Sequence, residues 1–319
     1  MQKEIIPVFF AADNGYVPYL SVAIHSLLTN ASPEYEYRLI VLSQDISEEN
    51  QRRLKMLEKP HGQIIFVDMN DRIQGIADQS SNYLRCDYFT LTIYYRLFIP
   101  AMFPEYDKAI YIDSDVALPG DISELFTVDL GENLIGACRD ESVQKIPEFV
   151  AYMDRYVGVG RENYINSGVL LMNLKKLREV KLDQRFLEVL GRYQFETIAP
   201  DQDYLNVLCY GKIHYLPECW DAMPRQDKPE LPQPKLIHYN LFFKPWCYDD
   251  IQYADVFWQY ARESGYLEEI MAHKAGYSEE KKKADSECLM KMTRTGAELA
   301  DREFSFRAVF NTGKEKRLV

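Results

Sequence analysis

The stretch AIYIDSDVALPG, residues 109–120, places two acids directly after an apolar strand signal. The run at 110–112 predicts a buried strand, and Asp113 and Asp115 follow it. Two carboxylates beside such a strand repel each other and resist the loss of water. Residues two apart in an extended segment project to the same side, where a carboxylate pair can hold a hard divalent cation. We therefore interpret Asp113 and Asp115 as a candidate metal pair; an ordinary acidic end of a loop is the alternative.

Strand and helix signals alternate along the first 140 residues, which include this stretch. Segments with helical spacing of apolar residues predict helices at 17–28, 47–58 and 91–103. Apolar runs predict further strands at 4–12, 37–43 and 62–69. Nearly continuous apolar strands that alternate with helices predict an α/β fold, with a Rossmann-like, mostly parallel sheet and helices on both faces. Ligands of such sheets bind at the carboxyl ends of the strands, where two of these strands are followed by acids.

The rest of the chain divides into a less regular middle and a helical end. Shorter signals follow in order: a strand at 133–142, a strand that continues into a helix at 164–178, and a helix with a short strand at 199–217. The segment 219–235 contains four prolines and is predicted to be a loop or flap. Beyond about residue 250 the sequence is helical and polar. We predict a catalytic domain at 1–250 and a C-terminal helical extension at 251–319.

The composition is that of a globular protein with an acidic body and a basic tail. The 319 residues are 47% hydrophobic, and the net charge of −12 argues against nucleic acid as the main partner. Residues 281–319 contain ten Lys/Arg and six Asp/Glu, a local charge of +4. Such a tail suggests peripheral contact with an anionic membrane surface. An ordinary solvated helix is the alternative.

The cysteines and the N-terminus indicate a protein of a reducing compartment. The six cysteines, at 86, 138, 209, 219, 247 and 288, form no CxxC pair, which favours buried thiols over a disulfide framework. The N-terminal apolar run is too short for the core of a signal peptide, and no stretch approaches 18 apolar residues. We predict a cytoplasmic location, with the basic tail as a point of contact with the inner membrane face.

A second group of polar residues follows the apolar run at the start of LIHYNLFFKPW, residues 236–246. His238 and Lys244 lie in this stretch. Imidazole is a ligand for manganese as well as for zinc or iron, and lysine is a point charge for phosphate. Each residue alone is more often structural, but together on one loop they could bind one anionic diphosphate.

Polar residues also occur where the pattern predicts a strand and a helix start. Asp201, Gln202 and Asp203 begin the helix signal of PDQDYLN, where capping of the first turn is the alternative to function. Asn166 lies inside an apolar strand signal, so if buried it needs hydrogen-bond partners from the backbone or a ligand.

The chain resembles glycosyltransferase family 8, retaining enzymes with the GT-A fold that include bacterial lipooligosaccharide galactosyl- and glucosyltransferases. The resemblance spans residues 5 to 246 and does not extend securely to the last 70 or so. It is found in eight stretches that occur in family order: VFFAADNGYVPYLSVAIHSLL, YRLIVLSQDISEEN, TIYYRLFIP, KAIYIDSDVALPGDISELF, IGACRD, YINSGVLLMNLKKLR, PDQDYLNVL and HYNLFFKPW. It implies transfer of galactose or glucose from a UDP-sugar to a saccharide or lipid-linked acceptor, with Mn²⁺ or Mg²⁺.

The resemblance also implies roles for individual positions. The metal would be bound by Asp113, Asp115 and His238. The transferred sugar would be lined by Asp140, Asn166, Asp201 and Gln202. Ala11 and Asp13 would bind the uracil of the donor nucleotide, and Tyr16 would stack near it. Arg96 would reach the donor's sugar or phosphate, and Lys244 would contact the diphosphate. Ser114 is also expected to contact the donor.

One position departs from the family pattern. The family usually has glycine three residues after the metal-binding histidine, and this chain has Leu241 there. A close backbone approach or a positive φ that glycine allows could therefore be missing. A low-turnover UDP-sugar-binding or stress-related protein on the same scaffold is consequently an alternative function.

The expected mechanism follows from the loss of UDP with retention at the anomeric carbon. Neither Asp201 nor Gln202 is an unambiguous nucleophile, and an amide is a poor one. We therefore expect attack from the leaving-group side, with Gln202 near the anomeric centre. A phosphatase of the haloacid-dehalogenase type, which also uses Asp-x-Asp after a strand, is a second rival.

Overall fold

The computed structural model describes residues 3–70 and 91–318. Its strands are β1 (Ile5–Ala11), β2 (Glu36–Ser43), β3 (Gly62–Asp68), β4 (Ala109–Ile112), β5 (Val116–Ala117), β6 (Ile135–Arg139), β7 (Ile165–Met172), β8 (Ile213–Tyr215) and β9 (Ile237–His238). Its α-helices are α1 (Val17–Asn30), α2 (Glu48–Lys55), α3 (Tyr95–Met102), α4 (Ile122–Phe126), α5 (Pro147–Ala151), α6 (Leu174–Glu179), α7 (Leu182–Tyr193), α8 (Pro200–Leu208), α9 (Ala254–Ala261), α10 (Leu267–Ala275), α11 (Glu279–Ala300) and α12 (Phe306–Phe310).

A seven-stranded sheet in the order β3-β2-β1-β4-β7-β6-β8 forms the centre of the protein. All neighbouring pairs in it are parallel except those of β7, which runs antiparallel to β4 and β6. Helices flank the sheet, and the C-terminal region is helical. The predicted α/β fold with a mostly parallel sheet of the GT-A type is therefore confirmed.

The sheet is buried on both faces because its strands are apolar at successive positions. In β1, Val8 and Phe10 pack in one cluster with residues of α1, whereas Phe9 packs in the opposite cluster with residues of α3. Side chains alternate between the two faces of a strand, so a continuous apolar run supplies both layers.

The directions of the strands place several polar segments at the same edge of the sheet. The carboxyl end of β6 lies beside the amino end of the reversed β7, where Arg139 pairs with Ile165. The carboxyl end of β4 lies beside the middle of β7, where Ile112 pairs with Val169. A separate two-stranded ribbon joins β5 to β9 by pairing Val116 with His238. This ribbon brings the segment after β4 next to a histidine more than 100 residues away in the chain.

Several local expectations change in the structure. The predicted helix at 91–103 is a 3₁₀ turn at Leu91–Tyr94 followed by α3, which continues two residues past Pro100. Cys138, Cys209, Cys219 and Cys247 are free thiols, as predicted. Cys288 takes part in a disulfide, so the expectation of a thiol is wrong there, and Cys86 lies outside the described residues. No helix within residues 3–70 or 91–318 is both long and apolar enough to span a membrane.

Candidate functional site

Asp113, Asp115 and His238 converge at the carboxyl end of β4. One potential ligand atom from each lies within 4.8 Å of the other two. His238 Nε2 is 3.4 Å from Asp115 Oδ1 and 3.9 Å from Asp113 Oδ2. The β5–β9 pairing holds this arrangement, because the backbone N–H of Tyr239 donates to the carbonyl of Asp115 at 2.9 Å.

The other oxygen of each aspartate is engaged by the protein. Asp113 Oδ1 accepts from Arg96 Nη2 and from the Tyr111 hydroxyl, each at 2.8 Å. Asp115 Oδ2 accepts from Lys244 Nζ at 2.5 Å. These contacts leave Asp113 Oδ2 and Asp115 Oδ1 directed at the imidazole. The donor set is therefore two carboxylate oxygens and one imidazole nitrogen, all within 4.8 Å of one another.

The electrostatics of this cluster favour a bound cation. Burial lowers the pKa of His238, but Asp221 and Asp115 outweigh burial and raise that pKa to about 10. Burial raises the pKa of Asp115, but Lys244 and His238 lower it to well below its usual range. A positive charge between the two aspartates and the imidazole is thus stabilised, and a divalent cation can replace the proton on His238. The chemistry of the donor set fits manganese or magnesium.

Gly168 provides the space in which the ligand atoms meet. A Cβ at this position would lie 2.3 Å from His238 Cε1 and 2.8 Å from Asp113 Oδ2. Both neighbours are held by hydrogen bonds, so neither can move away without losing its orientation. The absence of a side chain at Gly168 is therefore part of the candidate metal centre.

Changing Gly168 to alanine is expected to weaken Mn²⁺ binding by about 10- to 100-fold, because the added methyl displaces two ligands. Electron paramagnetic resonance of free Mn²⁺ measures this affinity directly. Gly191→Ala is the matched control, since a Cβ at Gly191 in α7 meets nothing within 4 Å. Equal Mn²⁺ affinity in the Gly168 and Gly191 variants would contradict the role of Gly168.

A cavity of about 510 Å³ opens beside the candidate metal centre. Among the positions selected from the sequence, it is lined by Ala11, Asp13, Tyr16, Arg96, Asp113, Ser114, Asp115 and Lys244. The wall also includes His273, Tyr277 and Asp285, from the region beyond residue 250. Residues from both predicted parts of the chain thus line one cavity.

Asp13 and Tyr16 are positioned by the turn that follows β1. Asp13 caps the 3₁₀ turn Asn14–Tyr16, and its Oδ1 accepts from the Tyr16 backbone N–H at 2.9 Å. Ser114 donates from its hydroxyl to the Ala11 carbonyl at 3.0 Å, which ties the ends of β1 and β4 together.

Asp140, Asn166 and Gln202 form a hydrogen-bonded group at the ends of β6 and β7 and the start of α8. Asp140 Oδ2 accepts from Gln202 Nε2 at 2.8 Å and from Asn166 Nδ2 at 3.3 Å. Asp140 Oδ1 accepts from the hydroxyl and backbone N–H of Ser142. Asp140 and Gln202 line a smaller cavity that shares Leu241 with the large one. The four hydrogen bonds to Asp140 hold the side chains of Asp140 and Gln202 in one arrangement.

Arg96 connects this group to the candidate metal centre. Its side chain is buried, and Nη1 donates to the Ser167 carbonyl at 2.5 Å while Nε lies 3.2 Å from Asp201 Oδ2. Asp201 Oδ2 also accepts from the Ser167 hydroxyl at 2.7 Å. Together with its contact to Asp113, the guanidinium is committed to protein groups, although Arg96 also lines the large cavity. Asn166, Asp201 and His238 line neither cavity.

Leu241 adopts the backbone conformation that the family's glycine would allow. Its φ is 55°, in the left-handed region. Its N–H donates to Asn240 Oδ1 at 2.8 Å, which helps to hold the turn. The positive φ is thus kept without glycine, at the cost of strain of about 1–2 kcal/mol.

Asp203, next to the site in α8, is an acid with a strongly altered pKa. Its carboxylate accepts from the hydroxyls of Tyr152 and Tyr164 at 2.6 Å each and from the Ala199 N–H at 3.3 Å, as a residue of the first helical turn can. Burial raises the pKa of Asp203 to about 7, although these three donors oppose the rise. Asp203 is thus a buried structural acid, which agrees with the capping alternative.

Because the folded pKa of Asp203 exceeds the unfolded value of about 4, the native state binds the extra proton between these values. Its contribution to stability therefore falls as pH rises from about 4 to 7. Asp203→Asn should remove this dependence on pH. In urea unfolding, the free energy of unfolding of the variant relative to the wild type should therefore rise by a few kcal/mol between pH 5 and pH 8. Asp129→Asn, at an exposed turn, should keep the wild-type slope. Parallel slopes for Asp203→Asn and the wild type would refute the assignment.

Some residues of the site had no sequence signal that selected them. Tyr111 reads as part of an apolar strand, yet its hydroxyl reaches Asp113. Asp221 lies in the proline-rich segment and contacts His238 Nδ1 at 2.9 Å. The one indication of a role for Asp221 is its position next to Ala222, which forms a bridge with Ile237 of β9.

Comparison with known proteins gives a consistent result. Residues 7–250 match the family described as Glycosyl transferase family 8. A Haemophilus influenzae protein named as a glycosyltransferase is 28% identical over 223 residues, which are 70% of this chain but only 64% of that protein. The Escherichia coli lipopolysaccharide 1,2-glucosyltransferase is 27% identical over 275 residues, 80% of this chain and 78% of that protein. The solved structure of galactosyltransferase LgtC with donor and acceptor sugar analogs has a TM-score of 0.68 at 28% identity, covering 81% of this chain and 96% of that one.

Proposed function

This chain belongs to glycosyl transferase family 8, and from this premise we propose that it acts as a glycosyltransferase. In this proposal it transfers glucose or galactose from a UDP-sugar to a saccharide or lipid-linked acceptor, with retention and dependence on Mn²⁺ or Mg²⁺. The observation that supports the proposal most is the convergence of Asp113, Asp115 and His238 within 4.8 Å beside a 510 Å³ cavity. A cavity of this size is typical of small-ligand sites.

The charge that develops on the departing diphosphate is the main demand on the site. Asp113, Asp115 and His238 would hold the divalent cation, which when bound acts as a Lewis acid on the diphosphate oxygens. Lys244 Nζ lies at Asp115 and also donates to the Tyr239 carbonyl at 2.8 Å, so its ammonium is held at the rim of the same site. There it can stabilise the anionic leaving group as a second positive charge.

The donor nucleoside would occupy the part of the cavity near β1. Asp13 and Ala11 supply a carboxylate and backbone groups for the uracil, and the Tyr16 ring lies beside them. Lys244 Nζ is 5.9 Å from the centre of the Tyr16 ring, so the base and diphosphate positions adjoin. Ser114 between the metal-binding aspartates would complete this end of the site.

Retention is proposed to follow from attack on the face that the diphosphate leaves. Asp140 accepts hydrogen bonds on both carboxylate oxygens, and Asp201 is held by Arg96 and Ser167. Asp201 lines neither cavity and Asp140 lines only the smaller one, so we propose that neither acts as a nucleophile. Gln202, with Asp140 and Asn166, would instead position the sugar, while the departing phosphate accepts the proton of the acceptor hydroxyl.

A panel of UDP-sugars with Mn²⁺ tests the proposal. We expect hydrolysis of UDP-glucose or UDP-galactose, loss of hydrolysis with EDTA, and an anomeric proton in the first product that shows retained configuration by NMR. An inverted product would contradict same-face attack. UDP binding in calorimetry with no hydrolysis of any donor would instead favour the low-turnover alternative.

Other predictions from the sequence are kept as proposals. We propose 1–250 as the catalytic part and 251–319 as an extension that contributes to the cavity wall. A cytoplasmic location and contact of the basic tail with a membrane are proposed on the sequence alone. Membership in the family argues against the phosphatase alternative.

A further inference from the structure

Asp221 is a buried acid whose carboxylate is directed at the candidate metal ligand His238. Asp221 and His238 are each 1% exposed, and Asp221 Oδ1 lies 2.9 Å from His238 Nδ1. The other oxygen, Oδ2, is buried and has no hydrogen-bond partner among the described residues. Burying a carboxylate costs free energy unless it is paired, and its partner here is the imidazole of His238.

The backbone on both sides of this pair is fixed. The N–H of Ala222 donates to the Leu236 carbonyl, and the N–H of His238 donates to the Ala222 carbonyl, each at 2.9 Å. The segment that contains Asp221 therefore runs beside β9 with a defined register. This register places the carboxylate against one edge of the imidazole, opposite the edge that faces Asp113 and Asp115.

We propose that Asp221 is a positioning residue that orients His238 for the divalent cation, an inference that rests on the proposed function. An ionised carboxylate can only accept hydrogen bonds, so it selects the imidazole form that carries a proton on Nδ1. The lone pair needed for a metal is then on Nε2, the nitrogen that faces the two aspartates. Asp221 acts on the cation through His238 and lies outside the wall of the large cavity.

Asparagine in place of Asp221 separates this role from simple packing. The amide has the same shape, but it can present either an oxygen or an NH₂ group, so it no longer selects the protonated Nδ1. Asp221→Asn should therefore weaken binding of Mn²⁺ alone by about 10- to 100-fold, as changes of this kind typically do. Its affinity for UDP without metal should equal that of the wild type, because the nucleotide cavity is intact.

The experiment measures Mn²⁺ affinity by electron paramagnetic resonance and metal-free UDP affinity by calorimetry, for the wild type, Asp221→Asn and Asp203→Asn. Asp203→Asn is the matched change at a buried acid that does not contact the cluster, and it should keep the wild-type Mn²⁺ affinity. Equal Mn²⁺ affinity in the wild type and Asp221→Asn, or equal losses of Mn²⁺ and UDP binding, would overturn the inference alone. A wild type that binds no Mn²⁺ would overturn the metal assignment of the proposed function and the inference with it.

Discussion

Asp113→Asn is expected to reduce Mn²⁺-dependent hydrolysis of the UDP-sugar by roughly 10²–10³-fold, since the substitution weakens a ligand of the cation that stabilises the leaving group. The amide also lacks the negative charge that pairs with Arg96, whose Nη2 donates to Asp113 Oδ1 at 2.8 Å in the wild type. The loss should therefore combine weaker metal binding with a misplaced guanidinium.

Initial rates at several Mn²⁺ concentrations measure this effect and separate the metal requirement from the maximal rate. Asp129→Asn is the control for the same chemical change, because Asp129 accepts from the Gly131 N–H in an exposed turn away from the cavity. It should keep wild-type rates. An Asp113→Asn enzyme within threefold of the wild type at every Mn²⁺ concentration would be incompatible with a metal role for Asp113.

Arg96→Ala is expected to lower the free energy of unfolding by roughly 3–5 kcal/mol, because removal of one partner leaves buried charge without compensation. Arg96 is 4% exposed and lies between Asp113 and Asp201, at 2.8 and 3.2 Å. The Ser167 carbonyl would also lose its donor. Arg96→Lys keeps the charge but cannot reach three partners, so an intermediate loss is expected.

Urea unfolding followed by circular dichroism measures these losses. Arg155→Ala is the matched control: Arg155 pairs with Asp301 at the surface, where such pairs contribute up to about 1 kcal/mol. Equal free energies of unfolding for Arg96→Ala and Arg155→Ala would contradict a stabilising role for the buried contacts of Arg96 with Asp113 and Asp201.

The elements that could be predicted from the sequence are those with local causes. The continuous apolar runs of β1 and β4 indicate strands buried on both faces, and each run ends where the acids begin. The spacing of Asp113 and Asp115 after an apolar strand marks them as a candidate metal pair, whereas the assignment of His238 as the third ligand is implied by the resemblance to the family.

The features that sequence reasoning missed depend on tertiary pairing. The pairing of Val116 with His238 in the β5–β9 ribbon has no local signature, and the contact of Asp221 with His238 follows from it. The contacts of the Arg96 guanidinium with Asp113 and with the Ser167 carbonyl likewise have no local signature. Helical periodicity beyond residue 250 could not show that His273 and Tyr277 would line the large cavity.

The most direct test of the account is anomalous diffraction at the manganese edge from crystals grown with Mn²⁺ and UDP. We predict one strong peak in contact with Asp113 Oδ2, Asp115 Oδ1 and His238 Nε2, at roughly the 2.0–2.6 Å expected for such ligands. A peak bound by other residues, or UDP in the cavity with no peak at these three atoms, would contradict the central claim.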